Sequence, residues 1–163
     1  MTLKTTAQIQ KDLLSRIQIR NKQRRFKIDR PAAVIFCVKV LQSMDRSDSA
    51  LSVAFVSGAE IRRINNKYLQ KDHATDVLSF GYDDETVDGR NLLGDIVISP
   101  EVSARNAAEF HVHPDKEVKK LLIHGILHLL GYDHETDNGY MQRMQNRLIR
   151  RNFFRMASPI LKD

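Results

Sequence analysis

The stretch Leu121-Leu122-Ile123-His124-Gly125-Ile126-Leu127-His128-Leu129-Leu130 is apolar on nearly every side of a helix, and it constrains the rest of the chain more than any other feature. It is too short to span a bilayer, which takes about 20 residues. Protein must therefore cover it, with a sheet on one side and further helices on the others. Two polar imidazoles stand inside this apolar segment, and burying each without a partner costs about 1–3 kcal/mol.

The remaining pattern supplies the cover. Ser15 to Asn21 alternates around Ile17 and Ile19 as a strand does, and Pro31 opens an apolar helix reaching about Met44. Leu51 to Val56 reads as a second strand, with Leu51, Val53 and Phe55 on one face. Ser57 and Glu60 then have the spacing of a capping box for a helix carrying Ile61, Ile64 and Tyr68. Asp76–Phe80 and Leu92–Ile98 read as two further strands joined by an acidic loop around Asp83-Asp84-Glu85. Helices follow from about Pro100 to Phe110, Pro114 to Leu130 and Asp137 to Phe154. The expected fold is α+β: a small mixed sheet of about four strands with packed helices, in one domain spanning residues 1–163.

Composition agrees with a packed globule. The 163 residues are 42% hydrophobic and 28% charged, with a mean hydropathy of −0.40, which excludes a membrane-spanning protein and argues against general disorder. Cys37 is the sole cysteine, so no intramolecular disulfide forms and a reducing, cytoplasmic setting is expected. The N-terminal apolar pairs are interrupted by charge and do not read as a signal peptide. Without a long exposed apolar run, a monomer is the default expectation.

The buried helix carries the chemistry. His124 and His128 are one turn apart and share a face. Gly131 can take the left-handed conformation that ends a helix, and the returning chain then brings His134 to the pair. The pattern H-x-x-x-H-x-x-G-x-x-H thus predicts three imidazoles around one divalent ion; zinc suits them best, with nickel, copper and iron as alternatives. Three ligands leave a position open, the arrangement of a catalytic rather than a structural site. The long zinc-protease motif has this spacing but places a glutamate general base where Gly125 stands here. An ion with neutral ligands keeps its double charge, so an anionic substrate is expected.

The net charge of +6 points the same way. Between Arg16 and Arg30 lie seven basic residues, Arg24 and Arg25 among them, against the single acid Asp29. Near the other end Arg143, Arg147, Arg150 and Arg151 accompany an apolar stripe of Met141, Met144 and Leu148. Such clusters suit a phosphate backbone. Asp133 and Asp76 are candidates for orienting a ligand ring, Tyr132 and Phe80 for stacking on a base, while His73, His111 and His113 read as surface or capping residues.

The segment His124–His134 closely resembles the signature of the YbeY family of bacterial endoribonucleases. Lys71-Asp72-His73-Ala74-Thr75-Asp76-Val77-Leu78-Ser79-Phe80 is similar to the family's K-D-x-x-T-D-V-L-S-F block, and Leu93-Gly94-Asp95-Ile96-Val97-Ile98-Ser99 to its L-G-D-I-x-I-S strand. The similarity runs from about Leu51 to Arg147. It implies an α+β fold and a single-strand-specific endoribonuclease with one zinc ion on His124, His128 and His134, His124 serving catalysis. It also implies work on ribosomal RNA, notably the 3′ end of the small-subunit RNA, and in ribosome quality control, with the small subunit and its proteins as partners. In many members an arginine stands where this chain has Leu69, with Lys71 nearby as the available cation. A zinc-braced assembly factor without activity and a metalloprotease-like hydrolase are the alternative functions.

Overall fold

The computed structural model describes residues 5–83 and 85–162; Asp84 of the expected acidic loop lies outside them. The described residues begin with a helix that the sequence reading does not include, α1 (Thr6–Ser15). A capping box starts it: the Thr5 hydroxyl accepts from Gln8 N, and Gln8 Oε1 accepts from Thr5 N at 2.8 Å. Because α1 takes up Ser15, β1 (Ile17–Asn21) begins two residues later than the alternation predicts.

Helix α2 (Arg30–Ser43) is capped by Asp29, whose carboxylate accepts from Ala32 N, with Pro31 in the first turn. It is followed by β3 (Ser49–Phe55) and α3 (Gly58–Leu69). Only half of the expected capping box forms on α3. Ser57 accepts from Glu60 N, but the Glu60 carboxylate holds Arg63 through two bonds of 2.8 and 2.9 Å, a stronger charge-assisted pairing than a backbone N–H offers.

Strands β4 (Val77–Gly81), β5 (Thr86–Val87) and β6 (Arg90–Ile98) complete the main sheet, ordered β1-β3-β6-β4 with β5 on the start of β6. The first three strands of that order are parallel, whereas β4 and β5 run antiparallel to β6. Val53 sits between Ile19 and Ile96 in this register. One face, with Leu51, Val53, Phe55, Ile96 and Ile98, packs against α2 and the central helix α5 (Pro114–Leu129). The other face places Ala54, Leu78 and Val97 with Ile61 of α3. A bulge interrupts β6, where Ala50 pairs with Leu92 but Leu51 pairs with Gly94. Gly94 has φ +142°, and a Cβ there would lie 2.0 Å from Phe80 O, so only glycine fits.

Helix α4 (Pro100–Glu109) leads into α5, with Ser99 as its cap. The single helix expected over Asp137–Phe154 is two: α6 (Tyr140–Ile149) and α7 (Asn152–Met156), broken where Arg151 turns extended at φ −67°, ψ 151°. The reason lies in the phase of the apolar residues. Continuing the Met141–Leu148 stripe would bury Arg151 or Asn152, whereas the break redirects Phe153 and Phe154 onto Phe36 of α2, at centroid distances of 5.8 and 6.0 Å. Two short strands, β2 (Lys27–Ile28) and β7 (Leu161–Lys162), pair antiparallel apart from the main sheet.

The tail is pinned to α5 by charge. Asp115 Oδ1 accepts from Ile160 N at 2.6 Å and Leu161 N at 3.0 Å, while its Oδ2 meets Lys119 Nζ at 2.6 Å. Lys119 also donates to Ala157 O at 3.1 Å, and both side chains are buried. Among the described residues no helix is long and apolar enough to cross a membrane.

Candidate metal centre

The last turns of α5 lie on the sheet with no side chain between them at Gly125. A Cβ there would approach Ile96 Cδ1 at 3.0 Å, Ile96 Cγ2 at 3.1 Å and Ser79 Oγ at 3.1 Å. The glycine where a zinc protease carries its base therefore sets the spacing between helix and sheet. This contact presents His124 and His128, both half-buried, at the rim of the core.

Gly131 adopts φ +92°, in the left-handed region expected of it, and His134 returns to the pair. His124 Nε2 and His128 Nε2 are 3.1 Å apart, and His134 Nδ1 is 3.2 Å from His128 Nε2. One nitrogen from each ring lies within 4.8 Å of the other two. Three ligands of a tetrahedral ion with 2.0–2.1 Å bonds would stand about 3.3 Å apart, so the spacing fits a shared cation.

The protonation pattern fits as well. His124 Nδ1 lies 3.0 Å from Gln145 Oε1, an atom that only accepts, so Nδ1 carries the proton and Nε2 a lone pair. His128 turns its Nε2 toward both of the other rings. Burial lowers the pKa of both rings, and for His128 the neighbouring imidazoles lower it further. Protons are thus disfavoured where lone pairs converge. A divalent cation satisfies all three.

The histidines open onto a polar groove of about 470 Å³ whose opposite wall includes Thr75, Asp76, Ser79 and Gly81. Strand β4 is the edge of the sheet: Val77 to Ser79 and Gly81 line this groove, while Leu78 and Phe80 also join the apolar cluster on the other face. Asp76 accepts from Asn106 Nδ2 at 3.2 Å and raises the His124 pKa through its charge, opposing burial. Asp133 acts on the His128 ring through its charge, which opposes the effect of burial there. Its carboxylate accepts from Glu135 N and Thr136 Oγ1, which fixes the turn beyond Gly131.

The ring partner that sequence reading missed is Gln145 of α6. Its signal was legible: a glutamine at 145 continues the row through Met141 and Leu148, a polar side chain on an apolar stripe. Among the basic candidates, Arg143, Arg147 and Arg150 line one cleft of about 360 Å³ with Asn146. Arg151 does not line this cleft; it is the extended residue before α7. Arg24 is exposed between β1 and β2, Arg25 lies 3.5 Å from Glu101, and Lys71 is exposed just beyond α3; none of these lines the histidine groove. Leu69 is exposed beside them. Phe80 packs edge-on against Tyr68, Tyr132 stacks on Tyr140, and His113 caps α5 by accepting from Asp115 N.

Residues 18–152 match the family model described as Endoribonuclease YbeY. The chain belongs to the YbeY family of endoribonucleases. The Endoribonuclease YbeY of Borreliella afzelii is 40% identical over 125 residues, covering 72% of this chain and 82% of that protein. The YbeY protein of Finegoldia magna is 38% identical over 137 residues, 79% of this chain and 88% of the relative. A solution structure of a Thermotoga maritima protein aligns with a TM-score of 0.59 at 30% identity, over 82% of this chain and 86% of its own. As a YbeY-family chain the protein is an endoribonuclease, a hydrolase of RNA phosphodiester bonds. The matched span takes in the histidine cluster, the Thr75–Gly81 wall and Gln145.

Proposed function

We propose that this protein is a zinc-dependent, single-strand-specific endoribonuclease of the cytoplasm. In this reading one domain and one copy of the chain act on ribosomal RNA, notably the 3′ end of the small-subunit RNA, and in ribosome quality control, with the small subunit and its proteins as partners. The observation that carries it is the convergence of His124, His128 and His134 on one point beside an open groove, in a chain of the YbeY family.

His124, His128 and His134 would hold one zinc ion, which when bound would supply Lewis-acid stabilisation of charge on a phosphoryl oxygen. The chain's own residues do the rest. His124, His128 and His134 present lone pairs, and Gln145 fixes the His124 ring by accepting from its Nδ1. Asp76 holds negative charge across the groove, where it favours the cationic state of the centre. Arg143, Arg147 and Arg150 grip the phosphate backbone beyond the reacting bond.

Incubating the purified protein with an unstructured RNA and with casein, each with and without a chelator, tests this reading. Cleavage of RNA alone, abolished by chelator and by His124→Ala, is expected. Binding to ribosomal particles without cleavage at any zinc concentration would mark a zinc-braced assembly factor instead, and casein cleavage a protease.

A further inference from the structure

Helix α6 lies antiparallel along α5. Gln145 meets His124 near the end of α5, and Ile149 joins Lys116 and Lys119, from the start of α5, in the lining of a second cavity. That cavity is about 610 Å³, larger than the histidine groove. From His124 back to Lys116 is about 12 Å along the axis at 1.5 Å per residue.

The cavity has a consistent chemistry. Ile149, Phe154 and Pro159 provide an apolar floor, and Lys116, Arg150 and Arg155 provide cations at its rim. Its one carboxylate, Asp115, is neutralised by Lys119 at 2.6 Å and by the two backbone donors of the tail. Lys119 is buried, and two of the three donors of its ammonium are claimed by Asp115 and Ala157 O. Three rim cations therefore face a space with no free negative charge. Arg150 also lines the arginine cleft of α6, so the two cavities share a wall. Basic residues run from Arg143 through Arg147 and Arg150 to Arg155 and Lys116.

We infer that this cavity is a nucleotide-binding pocket: one nucleotide of the RNA inserts its base against Phe154 and Pro159 while its phosphate meets Lys116, Arg150 and Arg155. The inference rests on the nuclease reading for its ligand and extends it to a position away from the cleaved bond. Stacked nucleotides rise about 3.4 Å each, so 12 Å corresponds to roughly three or four nucleotides between the two sites. An apolar floor under a cationic rim suits an unpaired base, which offers a ring face and a phosphate together.

Lys116 and Arg155 are exposed, and removing their charge leaves the core intact. The test measures binding of an unstructured twelve-nucleotide RNA to the zinc-loaded full chain by fluorescence anisotropy, at several salt concentrations. The double variant Lys116→Ser, Arg155→Ser is expected to bind about tenfold more weakly, with a log–log salt slope smaller by about 1.4. Unchanged affinity and slope overturn the pocket. A second arm titrates a nucleoside 5′-monophosphate and follows the amide resonances of Lys116 and Phe154. Shifts in the wild-type protein that vanish in the variant support the pocket even if the protein cleaves no RNA, which would defeat the nuclease reading alone. Cleavage that persists with no such shifts defeats the pocket alone. An acidic peptide that shifts these resonances where the nucleotide does not would also overturn it.

Discussion

Gln145 Oε1 and His124 Nδ1 lie 3.0 Å apart, joining a helix with no metal-ligating side chain at the centre to the helix that carries two histidines. The bond determines which nitrogen of His124 keeps its proton and holds the ring at a fixed angle.

Replacing Gln145 with alanine should therefore lower zinc affinity by about 10–100-fold, with a loss of global stability near 1 kcal/mol. Chelator competition measures the first and urea unfolding of the metal-free protein the second. Gln145→Glu, which keeps an acceptor in place, should restore most of the affinity. Unchanged affinity in the alanine variant would remove the positioning role.

Acidification should act on the same centre. Burial holds His124 and His128 below the ordinary imidazole value of 6.5, so the unfolded chain takes up protons first as the pH falls. The stabilisation from keeping these rings neutral is present above 6.5 and is lost as the pH drops through the lowered folded values. The Tm of the chelated protein should fall between pH 7.5 and 5, and the loaded protein should release its ion over the same range. His124→Ala with His128→Ala should flatten the metal-free profile, whereas a Tm that rises on acidification contradicts the assignment.

At Gly125 a methyl group would press on Ile96, which is fully buried and would have to shift within the core. Overpacking costs about 1–3 kcal/mol, and alanine regains about 1 kcal/mol of helix propensity, so Gly125→Ala should lose up to about 2 kcal/mol. Gly125→Glu recreates the protease motif in letters only. Its carboxylate would enter the core, and the expected result is loss of folded protein with no casein cleavage.

The Asp115–Lys119 pair makes the opposite kind of prediction, because the damage comes from what is left behind. Asp115→Ala strands a buried ammonium and two backbone donors, and should cost about 3–5 kcal/mol in denaturant unfolding. Adding Lys119→Met should recover part of that loss, since no charge then remains unpaired.

The main strands, the central helix and the hinge at Gly131 were legible because each is written in period, punctuation or spacing. Features that depend on distant neighbours were not. Asp115 and Lys119 carry no mark in the sequence beyond a spacing of four, and only the tail folding over them reveals a clamp. Strands β2 and β7 contain two residues each, too few for any alternation to register. Helix α1 buries none of its residues, and what marks it in the sequence is the Thr5–Gln8 capping box. At the centre, spacing indicated which three histidines meet, but the bonds of Asp133 to its own turn, and of Gln145 to His124, follow from packing.

The seating of α5 on the sheet at Gly125 has a mechanical corollary. With Ile96 and Ser79 filling the interval, the helix cannot move closer to β4 without displacing them. Under the proposed function, adaptation at the moment of encounter falls more to the RNA than to this wall, and a slack tail or loop complies where a stiff duplex resists.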